Sequence, residues 1–359
     1  MLELARRYPL YLMFRQFGFP VIEPLSLAVS VTNRCNFACA TCNVSRKKPD
    51  EMSAREYDAV FKSFRNPPRW ITLTGGEPFM RRDIEEVATA IIERARPDAV
   101  TIASNASFPD RLVSFARAVA STHPNTSFIV NLSVDGIGPK HDKIRGHDGS
   151  FSLVLESLQA LKELEIKNMS VGFHTVISRF NSDGVPKLIE YLKNFEPDFH
   201  RFEPAQRRAE LGVQNKDVEP AVEDYEIITD AITSAARPPK TGSAIIDAID
   251  DFRRSYYELS TRIMKEKTQV VPCYAGMASG HIAPNGDIWA CCTLAKSLGN
   301  VREKNYNFSK VWGGPAAAQA RRFIRDNRCY CPMANACYTN MFLNIGSLGR
   351  IAAGYFFKF

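Results

Sequence analysis

The 359 residues are 45% hydrophobic and 24% charged, a globular balance that excludes a disordered, collagen-like or coiled-coil chain. This length suits two domains, or a partial barrel of about 200 residues with a smaller appendage. The net charge of +7 is spread without a block of like charges, so no nucleic-acid partner is expected. No apolar run reaches the ~18 residues of a membrane span. The start of the chain, Arg6-Arg7 followed by Tyr8 to Phe14, is interrupted by Pro9 and Arg15 and lacks a small-residue cleavage site, which points to an intracellular, cytoplasmic protein.

After an N-terminal extension (1–24), residues 25–204 alternate β-type runs with helical patterns. Strands are predicted at 25–31, 69–73, 99–103, 128–134, 170–177 and 199–203, and helices at 53–64, 82–94, 111–121, 151–164 and 185–195. Ser53 with Glu56 three residues later is a capping-box signature. Six β/α units in succession suggest an α/β fold, either an open three-quarter barrel or a doubly wound sheet, with its working face at the C-terminal ends of the strands. Residues 205–270 read as a helical connector, with helical periodicity at 221–236 and 244–267. A small turn-rich cysteine domain is expected at 271–340, with Pro284-Asn285-Gly286-Asp287 as its hairpin signal. The chain closes with an apolar tail, 341–359.

The nine cysteines fall into two groups with none between Cys42 and Cys273. An odd number in an intracellular chain argues against a disulfide framework, so two thiolate sites are expected. Cys35, Cys39 and Cys42 share the loop after the first strand. Three thiolates leave one iron of a four-iron cube open to a ligand. Zinc prefers four ligands, and the first histidine of the chain is the distant His123.

This loop, Cys35-Asn36-Phe37-Ala38-Cys39-Ala40-Thr41-Cys42, resembles the defining loop of the radical S-adenosylmethionine enzymes, and the resemblance extends to about residue 203. It implies a partial (β/α)6 TIM-like barrel. It also implies a [4Fe-4S] cluster whose open iron is chelated by S-adenosylmethionine and whose electron releases a 5′-deoxyadenosyl radical. By the same resemblance Gly75, Gly76 and Glu77 form the amino-group site, the glycines giving a ligand access to the main chain. Ser104, Asn105, Ser133 and Asp135 would contact the ribose and methionyl parts, and Arg145 the methionine carboxylate. Helix caps, turns and a solvated arginine are the structural alternatives for these positions.

The second group resembles the SPASM and Twitch extensions of that family, and six thiols can close one auxiliary four-iron cluster. Cys273, Cys291, Cys329 and Cys331 are the chosen ligands, with Cys292 and Cys337 in reserve, because consecutive side chains of an extended segment point to opposite faces. A tetrathiolate zinc ribbon is the alternative. Two clusters suggest an oxidative reaction on a small molecule, sugar-, cyclitol- or lipid-linked, supplied by an external one-electron donor such as flavodoxin or ferredoxin. Glu203 and His174 are the proton-acceptor candidates on the rim. A peptide-modifying maturase and a zinc-stapled binding protein are the other readings. The tail could lie on a membrane interface, although packing on its own core is the simpler expectation.

Overall fold

The computed structural model describes residues 2–234 and 244–347. All six predicted strands are present: β1 (Ser26–Thr32), β2 (Trp70–Gly75), β3 (Ala99–Ser104), β4 (Ser127–Ser133), β5 (Met169–Ile177) and β6 (His200–Pro204). They pair in parallel in sequence order, as β/α crossovers require, and form an open partial barrel.

Helix α1 (Leu2–Phe17) was not expected, because Pro9 interrupts its pattern. It forms because tertiary anchors replace the lost backbone bond: Arg7 and Tyr11 are buried and both donate to the carbonyl of Glu23. Helices α2 (Ala54–Lys62) and α3 (Ile84–Ala95) follow the sequence reading, and the Ser53–Glu56 capping box is formed. Helix α4 (Pro109–Phe115) runs on into one π-helical turn. The short helix α5 (Pro139–Arg145) escaped the reading, being only two turns long and ended by Gly146. Helices α6 (Ser150–Lys162) and α7 (Val185–Lys193) complete the barrel, and α8 (Val222–Ser234) and α9 (Ala244–Glu266) occupy the connector.

The expected hairpin around Gly286 is formed by β7 (Ser279–Ile282) and β8 (Asp287–Trp289), with β9 (Ser297–Asn300) beside it. Its placement was not foreseen. β7 lies parallel to β1, so the cysteine-rich segment extends the barrel sheet to nine strands in the order β6-β5-β4-β3-β2-β1-β7-β8-β9. Helices α10 (Phe308–Trp312) and α11 (Pro315–Arg325) pack beside β9, and α12 (Ala334–Phe342) packs on α9. The predicted tail therefore begins inside a helix, with Met341 and Leu343 buried, and its residues 348–359 lie outside the described part.

Register sorts the strand residues onto two faces. Leu27, Val29, Ile71, Leu73, Val100, Ile102, Phe128, Val130, Leu132, Val171 and Phe173 pack against the helices in one apolar core. The paired positions between them are Ser30 opposite Thr74, Ser133 opposite His174, Val176 opposite Glu203 and Ala28 opposite His281. The concave face of the barrel is thus mostly polar.

Burial keeps its imidazoles, and that of His141 on the inner side of α5, neutral. His141 is 0% exposed, accepts from the Asp135 N–H through Nδ1 at 3.1 Å, and is pushed down to about 4 by burial. A depressed folded pKa means that the unfolded chain binds the proton first. His141 therefore withdraws stability as pH falls from about 6.5 towards 4, by up to about 1.4 kcal/mol per pH unit. Unfolding measured in urea across this range should show a shallower acid loss for His141→Asn than for the unmodified chain; equal slopes would contradict the assignment.

Candidate active site

The loop that leaves β1 is clamped along its length by main-chain bonds. Gly76 N–H donates to Thr32 O at 2.7 Å and Glu77 N–H to Arg34 O at 2.8 Å. Ala40 N–H donates to Ile144 O at 2.8 Å, and Asn43 N–H to Leu211 O at 2.8 Å. The glycines are required by the loop itself. A Cβ on Gly75 or Gly76 would collide with the backbone of Thr32 or Arg34, so only glycine lets the loop approach the main chain this closely. At the other clamp Gly146, at φ +64°, lies against the carbonyl of Ala38, and Phe37 packs on the His147 ring at 4.5 Å.

Cys35, Cys39 and Cys42 are unpaired and partly exposed in this loop. Burial pushes the Cys35 thiol up to about 11, and its two neighbours add repulsion. Thiolates gathered here need a compensating positive centre. Donors already face the sulfurs: Val44 N–H at 3.4 Å from Cys42 Sγ, Asn105 Nδ2 at 3.9 Å from Cys35 Sγ, and the Arg145 guanidinium beside Cys39. Three thiols with outer donors and no fourth ligand fit a four-iron cluster with one open iron.

The rim residues assemble around this loop. Glu77 is 1% exposed and takes bonds from Phe79 N–H (3.1 Å), Ser104 Oγ (2.9 Å) and Asn105 N–H (2.6 Å). Burial pushes its carboxyl up to about 7 against these bonds. Asn105 also reaches Asn36 Oδ1 at 3.0 Å, which ties β3 to the cysteine loop. Arg145 pairs with Asp135 at 2.9 Å, so the carboxylate facing it here belongs to the chain. Asp135 is anchored in turn by Val176 N–H at 2.9 Å. Ser133 ends β4 opposite His174. His174 and Glu203 stand 4.0 Å apart, the imidazole pushed down by burial while Glu203 opposes the shift.

In the second group Cys273, Cys291, Cys329 and Cys331 line one cavity with Thr293, Leu294 and Asn340. Burial pushes Cys273 up to about 12 and Cys329 up to about 11, with the Cys331 sulfur adding to both. Cys292 and Cys337 do not line this cavity but lie beside Cys331, whose carbonyl is 3.8 Å from Cys337 Sγ. Cys292 contacts Met333 and Arg208, whereas Cys337 lies in an apolar cluster with Tyr225, Tyr256 and Met341. Among the described residues no three His, Cys, Asp or Glu side chains converge closely enough to hold a single metal ion. Four partly buried thiols around a cavity suit a polynuclear cluster, whose sulfur ligands are spread more widely.

A polar strap joins the two groups, and sequence reasoning missed it. Ala209 N–H donates to Thr293 O at 3.2 Å, and Arg208 Nη1 lies 4.0 Å from Cys292 Sγ. On its other side the strap meets the first loop, with Lys47 Nζ donating to Glu210 O at 2.6 Å and Asn43 Nδ2 to Gly212 O at 2.9 Å. Beneath it Ser30 Oγ lies 2.9 Å from His281 Nε2 and 3.3 Å from Glu210 Oε1, and His281 stacks on Trp289 at 4.8 Å. No motif marks residues 208–212, which the sequence placed in the connector. Their one local signal is their position directly after the sixth strand, at the working end of the sheet.

The clamp makes a testable demand. Gly76→Ala forces Arg34 aside at a cost of about 1–3 kcal/mol, by overpacking against main chain. The iron content of the anaerobically reconstituted variant should drop towards that of a Cys35→Ala chain, and Gly146→Ala should act likewise through Ala38. Full iron content in both would show that the clamps do not shape the site.

Comparison with known proteins agrees with this geometry. Residues 29–192 match the model of the Radical SAM superfamily, and residues 273–338 match SPASM, an iron–sulfur cluster-binding domain. The sporulation killing factor maturation protein SkfB of Bacillus subtilis is 28% identical over 175 residues, 48% of this chain and 40% of that protein. An AdoMet-dependent heme synthase of Oleidesulfovibrio alaskensis is 25% identical over 341 residues, 87% of this chain and 81% of that one. Among solved structures, Streptococcus suis SuiB shares the fold with a TM-score of 0.62 at 17% identity, covering 96% of this chain and 79% of its own. AdoMet-bound anSMEcpe gives 0.60 at 15%, covering 92% and 99%. SkfB and the Fe-coproporphyrin III synthase of Methanosarcina barkeri are each matched over 40% of their length, less than half of either protein. With three thiols clamped at the mouth of a parallel barrel and four more around a neighbouring cavity, the chain belongs to the radical SAM superfamily and carries a SPASM iron–sulfur domain.

Proposed function

We propose that the protein is a radical S-adenosylmethionine enzyme that oxidatively modifies a polar small molecule held on the concave face of the barrel. The observation that carries this reading is the polar lining of the strand face and the strap: Ser133, His174 and Glu203 on one side, Ser30 and His281 with Glu210 of the strap on the other. A polar ligand can exchange bonds with these groups, whereas a hydrocarbon ligand offers them nothing.

A cluster on Cys35, Cys39 and Cys42 with S-adenosylmethionine on its open iron supplies, when bound, reductive sulfonium cleavage and hydrogen-atom abstraction. The chain's own part is to hold and to screen. Glu77, locked by three donors, keeps the β2 and β3 rims together, while Arg145 and Asp135 close the opposite side. His174 is kept neutral by burial beside Glu203, which suits the pair to accept the proton that an oxidised carbon releases. Cys273, Cys291, Cys329 and Cys331 would hold the auxiliary cluster as electron acceptor, and an external one-electron donor of flavodoxin or ferredoxin type would supply the reducing equivalent. A small-molecule substrate is favoured over a peptide because the relative matched along 87% of this chain is named as a heme synthase, whereas the match to SkfB covers 48%.

Anaerobically reconstituted, reduced protein should release 5′-deoxyadenosine and methionine slowly without its substrate. Cys39→Ala should abolish the release, and Cys291→Ala/Cys331→Ala should retain it with S-adenosylmethionine affinity unchanged. Chromatographic assay of 5′-deoxyadenosine decides the matter, since equal release from Cys39→Ala would refute the assignment of the first loop.

A further inference from the structure

We propose, resting on the small-molecule reading above, that a carboxylate or phosphate group of the substrate is held on the concave face of the barrel by two guanidinium groups, those of Arg201 on β6 and Arg253 on α9. Both lie over one ring: Arg201 Cζ is 4.1 Å and Arg253 Cζ 5.9 Å from the centre of Phe199. A strand and a helix far apart in sequence thus bring two like charges to the same spot.

Arg201 has no acid of its own. Arg145 faces Asp135 at 2.9 Å and Arg208 faces Glu210 at 3.8 Å, so two other guanidinium groups of the site carry their own carboxylates. Among the described residues no carboxylate pairs with Arg201, and its Nε is buried without a hydrogen bond. The residue as a whole is only half-buried, which leaves its terminal nitrogens as the open end of the fork. Burial, and then repulsion by Arg253, pull the guanidinium down to about 10. A desolvated, unpaired charge is costly, and a bound oxyanion offsets that cost through the parallel N–H bonds that a planar fork provides.

The surroundings favour an anion in two further ways. Tyr257 of α9 and Tyr338 of α12 lie beside Arg201, and burial holds both phenols protonated, able to donate. Arg201 is also in register with His174, so it shares the concave face with the His174–Glu203 pair. It stands two residues before Glu203 on β6, about 7 Å away at the rise of a strand. An oxyanion there anchors one end of a small molecule and leaves a carbon at the proton-accepting pair.

The test is anaerobic phenylglyoxal labelling of the holoprotein, mapped by peptide mass spectrometry, in chloride, propionate or inorganic phosphate at constant ionic strength. Arg201 should be labelled in chloride, and its labelling should fall about tenfold or more once propionate or phosphate is well above its dissociation constant. Exposed Arg322 should be labelled equally in all three. Protection by propionate alone assigns a carboxylate, and protection by phosphate alone a phosphate group. The protecting anion should also raise the melting temperature of the unmodified holoprotein more than that of Arg201→Gln, each compared with itself in chloride, so a weakened fold in the variant does not mask the result. Labelling of Arg201 that neither anion reduces, no labelling of Arg201 at all, or equal melting shifts would overturn the proposal. Labelling needs no turnover, which separates the two readings: protection in a protein that releases no 5′-deoxyadenosine would sink the catalytic reading and leave this site standing, and release without protection would do the reverse.

Discussion

Everything at the mouth of the barrel depends on one close approach, that of the backbone after β1 to the Gly75-Gly76 turn after β2. Thr32 and Arg34 carbonyls accept from the N–H groups of Gly76 and Glu77, and no side chain intervenes because neither glycine has one. The loop is thereby launched across the strand ends instead of out into solvent. Its far side is caught by the C-terminal end of α5 and its exit by the carbonyl of Leu211. Main-chain clamps are insensitive to rotamer, so the positions of three flexible thiols are set by the least flexible part of the chain.

The same economy explains how two thiol groups, far apart in sequence, come to ride on one sheet. β7 adds to the open edge at β1, and the cysteines that flank this strand ride on the sheet that carries the first loop. The strap at 208–212 then bonds to both, through Leu211 and Gly212 on one side and Ala209 on the other. A substrate between the groups would meet fixed walls on each side, and preorganisation of this kind is what lets binding energy act on orientation.

Much of this was legible in the sequence. The barrel strands announce themselves by apolar alternation in runs such as Leu27, Val29 and Val31, and the thiol loop by its spacing, because both are local patterns. The pairing of β7 with β1 was not legible, since strand adjacency is a long-range choice that no local pattern encodes. Helix α1 was hidden by Pro9, whose penalty is offset by buried contacts of Arg7 and Tyr11 that only the folded chain supplies. The roles of Arg208, Glu210 and His281 were invisible for a related reason: each is an ordinary residue until the strap and the sheet edge bring it beside the others. For the glycines at 75 and 76 the motif was legible, but the close approach of Thr32 and Arg34 that demands them was not, because it joins two loops distant in sequence.

The most direct test of the account, in which two distinct clusters share one sheet and only one is open, is electron paramagnetic resonance of the reduced, anaerobic protein with and without S-adenosylmethionine. Two four-iron signals are expected, of which one shifts on addition of S-adenosylmethionine and is missing from Cys39→Ala, while the other is unmoved. A single signal, or two that both shift, would contradict it.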